Sequence, residues 1–229
     1  KNLPGGLTLK RKDDYALLAL QGPEAARVLY DVFGLDTSSI GYMKGQTVGL
    51  GGTDAYLSRL GYTGEDGFEI SVAAEKAPGL WDKLLTHEEV KPIGLAARDS
   101  LRLEMGYCLY GHDIDENVTP VEAGLRWVIS KNNSGFIGEA AIRERLENGP
   151  DRKRVGFRLL DKGVAREGMS VLDDQGTVIG AVTSGGFSPI LQQAIGQAYV
   201  ETSAAAVGNR IQIEIRGRPV AAEIAAMPF

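Results

Sequence analysis

The sequence is poor in the side chains that build disulfide frameworks and zinc centres. Among its 229 residues there is one cysteine, Cys108, and there are two histidines, His87 and His112. A single cysteine excludes an internal disulfide and any cysteine-rich metal centre, and it fits a reducing compartment. The two histidines are too few and too scattered for a histidine metal site. We therefore expect no metal and a cytoplasmic location.

Long apolar runs and an excess of basic residues are also missing. No stretch approaches the roughly 20 apolar residues that span a bilayer, so we expect no membrane partner. With 25 Lys and Arg against 30 Asp and Glu, the net charge is -5, which argues against a nucleic acid as the main partner. The hydrophobic content of 43% and the charged content of 24% are typical of a folded globular protein.

What the sequence does contain divides it into a mixed half and an all-β half. Up to residue 148, strand patterns such as 15–21 alternate with helix patterns such as 24–33, which is typical of an α+β domain. After residue 154, six short strand patterns are separated by turn signals about every ten residues, which favours a small barrel. We predict a mixed sheet with helices over residues 1–148 and an all-β barrel over residues 149–229.

The stretch GYTGEDGFEI, residues 61–70, is the most informative in the chain. It predicts a hairpin, because a turn with three glycines separates two strand patterns. On the second strand Phe68 and Ile70 share one face, and Glu69 points to the other. A strand glutamate usually faces water. Here the glycines, which let a backbone approach a ligand closely, favour a pocket.

A second stretch, residues 94–115, predicts a helix with Arg98 and Arg102 one turn apart. Arg98 is either a structural arginine paired with a carboxylate of its own helix or a group whose planar guanidinium holds a ligand carboxylate or the edge of a heterocycle. With Glu69 it would form a small polar clamp on an apolar wall. Aromatic side chains that can sandwich a flat ring lie near both stretches, namely Tyr62, Tyr107, Tyr110 and Trp127.

The remaining polar motifs have simpler interpretations. His112 next to Asp113 has the look of half a catalytic relay, but no serine or cysteine is placed to complete it. Cys108 is interpreted as a core residue, the acidic run 113–116 as a solvated loop or cap, and residues 185–196 as a structural turn. Residues 127–129 are interpreted as a strand. The residues alone thus predict a pocket for a flat, polar small molecule without an identified nucleophile.

Taken together, these blocks resemble the T-protein of the glycine cleavage system, a tetrahydrofolate-dependent aminomethyltransferase family within the folate-binding superfamily. The resemblance covers nearly the whole chain. Its blocks are YALLALQGPEAA (15–26), LGYTGEDGFEISV (60–72), GLAARDSLRLEMGYCLYGHDID (94–115), TPVEAGLRW (119–127), FIGEAAI (136–142), GAVTSGGFSPIL (180–191) and the final AAMPF.

The resemblance implies a folate site and a reaction. Glu69 and Arg98 match folate-contacting residues, and Tyr62 and Tyr107 match aromatic positions lining the same cavity. We add Trp127, which lies near these blocks, to the predicted folate-binding residues. The reaction it implies takes an aminomethyl group from the lipoyl arm of a partner, the H-protein, and delivers methylene-tetrahydrofolate with release of ammonia. It would depend on proximity and on a carboxylate near the attacking folate nitrogen.

The resemblance also implies that the catalytic aspartate lies in a segment that precedes residues 15–26 in the family, for which we find no counterpart here. We therefore expect no catalytic residue in this chain and little or no transferase activity from it alone. Two alternatives stay open: a folate-binding tail domain of a dimethylglycine or sarcosine oxidising enzyme, and a non-catalytic folate-binding paralogue. A folate-dependent iron–sulfur assembly protein is disfavoured, because residues 111–124 lack the cysteine of its KGCY-type motif.

Overall fold

A computed structural model describes residues 5–229 and contains an α+β region followed by a closed β-barrel. This confirms the fold class predicted from the sequence. The chain divides into two compact units, the first ending at Gly94 and the second running from Leu95 to Phe229. The domain boundary expected between residues 148 and 149 stays a prediction, and the first four residues of that first domain lie outside the described residues.

The first unit is built on a four-stranded antiparallel sheet with two helices. Its elements are β1 (Tyr15–Gln21), α1 (Ala25–Phe33), β2 (Gly45–Leu50), β3 (Thr53–Ser58), β4 (Gly67–Ala73), a 3-10 turn (Ala74–Lys76) and α2 (Ala77–Leu84). The strand order is β1-β4-β3-β2. β4 is therefore a central strand, hydrogen-bonded to β1 on one side and to β3 on the other.

Alternation along β4 produces the core of this unit. Phe68, Ile70 and Val72 are fully buried, and they belong to one apolar cluster with Leu29 of α1 and Leu80 of α2. Helix α1 ends where glycine allows it, because Gly34 takes the left-handed conformation with φ 67° and its N–H bonds back to the last turn. The hairpin and the first helix predicted from periodicity are thus confirmed.

The second unit begins with helices and ends in the barrel. Its elements are α3 (Leu95–Glu104), a 3-10 turn (Arg126–Val128), α4 (Glu139–Asn148), β5 (Arg152–Leu159), β6 (Ser170–Leu172), β7 (Val178–Ser188), β8 (Gln193–Glu201), a 3-10 turn (Thr202–Ala204), β9 (Arg210–Ile215) and β10 (Arg218–Ala225). The six strands close in the order β10-β5-β8-β7-β6-β9. Closure removes the exposed sheet edges that an open sheet would leave.

Two interpretations of turns and strands were wrong. The strand expected at 127–129 is a 3-10 turn at Arg126–Val128, because the Leu125 N–H bonds the Pro120 carbonyl and successive turns leave no extended edge to pair. The turn expected at Gly185 lies inside β7, and the chain reverses after Ser188. Gly185 is there because a Cβ would lie 2.5 Å from the Ala165 carbonyl oxygen.

Within residues 5–229 no helix is both long enough and apolar enough to cross a membrane.

Candidate functional site

The turn between β3 and β4 is filled by the side chain of Gln21, the last residue of β1. Its Nε2 donates to the carbonyl oxygens of Leu60 and Phe68, both at 3.2 Å. A Cβ on Gly61 would lie 1.9 Å from Gln21 Oε1, and one on Gly67 would lie 2.6 Å from Gln21 Cδ. Two of the three turn glycines therefore make room for an internal side chain, which corrects the interpretation that they admit a ligand.

The same turn is closed by an ion pair between Arg59 and Asp66. Arg59 Nε and Nη2 donate to the two carboxylate oxygens at 2.9 and 2.6 Å, and Nη1 donates to the Ile40 carbonyl oxygen at 3.1 Å. The Arg59 guanidinium also lies 5.5 Å from the centroid of the Phe68 ring. Hydrogen bonds from Arg59 lower the pKa of the Asp66 carboxyl below its ordinary value of 3.8. The turn that precedes Glu69 is thus fixed by internal contacts.

We expect Asp66→Asn to remove a stabilisation that depends on pH. Because the folded-state pKa of Asp66 lies below 3.8, its contribution is full above the unfolded value and is lost as the pH falls through the folded value. Urea denaturation should give a constant difference between wild type and Asp66→Asn near pH 6, shrinking below about pH 4. In an Arg59→Gln background the difference should vary much less with pH, because only the backbone hydrogen bond from Gly67 still lowers the Asp66 pKa. If wild type and Asp66→Asn still differed in the free energy of unfolding at about pH 2, the coupling between Asp66 and Arg59 would be contradicted.

Glu69 lies at the centre of the sheet on the face opposite the core. Its Cα is paired with Ala19 on β1 and with Ser58 on β3, so small side chains flank it on both sides. The residue is half-buried, as is Tyr62 in the preceding turn. A carboxylate between two small neighbours on an open sheet face is well placed to accept hydrogen bonds from a bound molecule. Both residues belong to the first unit.

Arg98, Tyr107 and Trp127 belong to the second unit. Arg98 lies on the exposed amino-terminal half of α3, and Tyr107 is half-buried just after that helix. Trp127 is 77% exposed within its 3-10 turn. The structure thus places two of the five predicted site residues in one unit and three in the other. The clamp between Glu69 and Arg98 stays a prediction.

The buried arginine of α3 is Arg102, whose partners the sequence did not reveal. Its side chain is 3% exposed and its Nη1 donates to Asp113 Oδ2 at 2.8 Å, where the Asp113 side chain is fully buried. Arg102 also donates from Nε to Asp99 at 2.7 Å and from Nη2 to Ser184 Oγ at 3.0 Å. Arg102 thus makes an intrahelical ion pair with Asp99.

Asp113 is the acceptor that joins this cluster to the barrel. Besides Arg102, its carboxylate accepts from the Leu109 N–H at 2.8 Å, from Thr183 Oγ1 at 2.5 Å and from Ser184 Oγ at 2.9 Å. The interpretation of the run 113–116 as solvated is therefore wrong at its first residue. A buried carboxylate surrounded by donors from a helix, a loop and a strand fixes all three relative to one another.

A second arginine extends this polar network along the barrel wall. Arg154 donates from Nη1 to Gln197 Oε1 at 2.6 Å and to the Gly106 carbonyl oxygen at 2.9 Å. Gln197, which is fully buried, donates in turn to the Tyr107 carbonyl oxygen at 3.2 Å. The backbone on both sides of Tyr107 is therefore held by the barrel.

Neither His112 nor Cys108 has the surroundings of a catalytic residue. His112 Nδ1 lies 2.7 Å from Glu167 Oε2 on the surface, so the relay with Asp113 suggested by the sequence is not formed. Cys108 is half-buried, and desolvation raises the pKa of its thiol, which disfavours the nucleophilic thiolate. Over residues 5–229 no cluster of three or more His, Cys, Asp or Glu side chains is arranged to hold a metal ion.

Comparison with known proteins gives the same family for both parts of the chain. Residues 6–133 match the model described as the GCVT N-terminal domain, and residues 152–229 match the glycine cleavage T-protein C-terminal barrel domain. The chain is 42% identical over 224 residues to an aminomethyltransferase of Halothermothrix orenii, covering 96% of this chain and 62% of the relative. It is 41% identical over 235 residues to a mitochondrial aminomethyltransferase of Dictyostelium discoideum, covering 97% and 58%.

Solved structures agree with these matches. The crystal structure of glycine cleavage system aminomethyltransferase T from Bartonella henselae superimposes with a TM-score of 0.88 at 41% identity, covering 93% of this chain and 59% of that one. The chain thus spans about three fifths of the length of the relatives it matches.

Proposed function

The chain belongs to the glycine cleavage T-protein family, and from this premise we propose that it serves a tetrahydrofolate-dependent aminomethyltransferase as its folate-binding and barrel parts. The expectation of little or no turnover from this chain alone stays a prediction. The observation that carries the proposal is the match of both family models, in order, on one chain. The agreement of fold and sequence with a solved aminomethyltransferase supports it, at a TM-score of 0.88 and 41% identity.

The proposed reaction moves one carbon between two carriers. The carbon of a lipoyl-bound aminomethyl group loses its bonds to sulfur and to its own nitrogen and gains bonds to two folate nitrogens. The two protons displaced from those nitrogens leave with the lipoyl thiol and with ammonia, so the exchange needs no oxidant. The partner that carries the lipoyl arm would be an H-protein. The expectation from the sequence that no metal takes part stays a prediction.

We propose that the residues of this chain bind folate. Glu69, half-buried between small neighbours on the sheet, would accept hydrogen bonds from the N–H groups of the pterin. Arg98, exposed on α3, would hold a carboxylate or a polar ring edge through its planar fork. Tyr62, Tyr107 and Trp127 would supply aromatic surface to the flat ring system.

Isothermal titration with tetrahydrofolate tests this assignment. We expect Glu69→Ala and Arg98→Ala each to weaken binding about tenfold or more, because each removes hydrogen bonds to a charged group, worth about 1.5–3 kcal/mol. Glu75→Ala and Arg218→Ala are the matched controls. Both residues are exposed surface charges outside the proposed site, and both variants should bind like wild type.

Two outcomes would count against the proposal. A wild-type protein that binds no folate would contradict it outright, and equal losses in the site and control variants would contradict the residue assignment. Binding of a lipoylated H-protein separates the transferase from a tail domain of an oxidising enzyme, because only the transferase has to engage that carrier. The cytoplasmic location stays a prediction.

A further inference from the structure

Helix α3 rests on strand β7 through two serine hydroxyls that flank a glycine. Arg102 Nη2 donates to Ser184 Oγ at 3.0 Å, and Ser188 Oγ donates to Glu104 Oε1 at 2.6 Å. Between the two serines, the Cβ position of Gly186 lies 3.6 Å from a Leu103 methyl carbon. Residues 184, 186 and 188 point to the same side of the strand. We call these three residues the serine seat.

The two serines of the seat are polar and almost fully buried. The side chains of Ser184 and Ser188 are 4% and 1% exposed. Each hydroxyl makes a second hydrogen bond, from Ser184 to Asp113 Oδ2 at 2.9 Å and from the Leu191 N–H to Ser188 at 2.9 Å. Hydrogen bonds are directional, so they fix both the rotation of the helix and its position along the strand, which an apolar contact alone does not.

Further contacts fix the carboxy-terminal half of α3, where Arg102 pairs with Asp113 and the Phe229 N–H donates to the Glu104 carbonyl oxygen at 2.9 Å. The buried residues of the helix are Arg102 and Leu103, and both lie on the seat. At the other end Leu95 is 81% exposed, and the residues from Ala96 to Arg98 are exposed as well. A rotation of the carboxy-terminal half also moves the amino-terminal half, because the two are turns of one hydrogen-bonded helix.

Arg98 lies one helical turn before Arg102, about 6 Å along the axis and on nearly the same side. Any rotation or slide of the helix on the seat therefore moves the backbone that carries Arg98. A planar guanidinium that binds a carboxylate or the edge of a heterocycle makes poorer hydrogen bonds when it is displaced by about 1 Å.

We propose that the serine seat is a positioning element for folate binding, in which Ser184 and Ser188 act through α3 to orient Arg98. The inference rests on the proposed function, because it concerns the affinity of that site for a reduced folate. It also gives a reason for Gly186 and Ser188, which lie in the stretch 185–196 that is interpreted from the sequence as a structural turn.

The test is a double-mutant cycle read out as tetrahydrofolate affinity. We expect Ser184→Ala and Ser188→Ala each to weaken binding about fivefold to tenfold, with Arg98→Ala weakening it at least as much. Combined with Arg98→Ala, either serine variant should cause no further loss, because the group it positions is gone. A seat that served stability alone would give losses that add.

Controls separate positioning from general damage. Thr202→Ala removes another hydroxyl hydrogen bond of the same unit, to the Pro150 carbonyl oxygen, and should leave affinity unchanged. Ser184→Thr keeps a hydroxyl and should restore binding. Suppose that wild type binds folate and that Arg98→Ala weakens this binding. If the serine variants then bind folate normally, or if their losses of affinity add to that of Arg98→Ala, the inference about the seat fails while the proposed function stands. If wild type binds no folate, the proposed function fails and the inference falls with it.

Discussion

Asp113→Ala is expected to lower the free energy of unfolding by about 3–5 kcal/mol, the usual cost of removing one partner of a buried ion pair. The reason lies in what the substitution leaves behind. Arg102, 3% exposed, loses the carboxylate 2.8 Å from its Nη1, and the donors on Leu109, Thr183 and Ser184 lose their shared acceptor. Urea denaturation followed by circular dichroism measures the change.

A control and a cycle make this expectation specific. Asp174→Ala removes an exposed aspartate from a turn of the same unit and should change stability by no more than about 0.5 kcal/mol. The double variant Arg102→Met/Asp113→Ala should cost less than the sum of the single changes by about 1–3 kcal/mol, since the unpaired charge is removed as well. Strict additivity would show that the two side chains do not depend on each other.

The buried pair also bears on specificity. Replacing buried ion pairs by apolar groups often leaves stability unchanged, so stability alone does not explain this one. What Arg102 and Asp113 provide is direction, since their hydrogen bonds reach Ser184 and Thr183 on one strand and Leu109 in a loop. The same contacts that make Asp113→Ala costly thus fix the helix that carries Arg98.

Most of the fold could be predicted because its signals are local. The alternation of Phe68, Ile70 and Val72 and the turn signals between barrel strands act within a few residues. The six strands predicted for the barrel are accordingly all present. The strand expected at Trp127 was wrong, because three apolar residues in a row fit a short turn as well as a strand.

The polar contacts could not be predicted because their partners are distant in the sequence. Ser184 is 82 residues from Arg102 and 71 from Asp113, and no local spacing indicates such pairs. Gln21 fills a turn whose ends, Leu60 and Phe68, lie 39 and 47 residues further along the chain. From the sequence alone, the space made by the turn glycines could therefore not be assigned to this side chain rather than to a ligand. One local signal was available for Arg102, since Asp99 precedes it by three residues, a spacing typical of intrahelical pairs.

Gly180→Ala is the second change with a large expected effect. A Cβ at Gly180 would lie 2.0 Å from the Tyr199 carbonyl oxygen and 2.9 Å from Val200 Cα, both backbone atoms of the neighbouring strand β8. Gly180 is paired with Val200, and the register of β7 against β8 shifts two to four residues later. Backbone held in a closed barrel cannot move aside as the end of a side chain can, so strands β7 and β8 would have to separate locally. We expect a loss of about 2–4 kcal/mol in the free energy of unfolding.

Gly186→Ala is the matched control, because it places the same methyl group on the same strand. There the nearest atom is a Leu103 methyl carbon at 3.6 Å, an ordinary van der Waals distance, so the loss should stay below about 1 kcal/mol. Urea denaturation of the two variants side by side measures the difference. If Gly180→Ala were as stable as Gly186→Ala, the backbone of β8 at Tyr199 would have to move aside at little cost. The close approach of the two strands would then not be the reason for glycine at position 180.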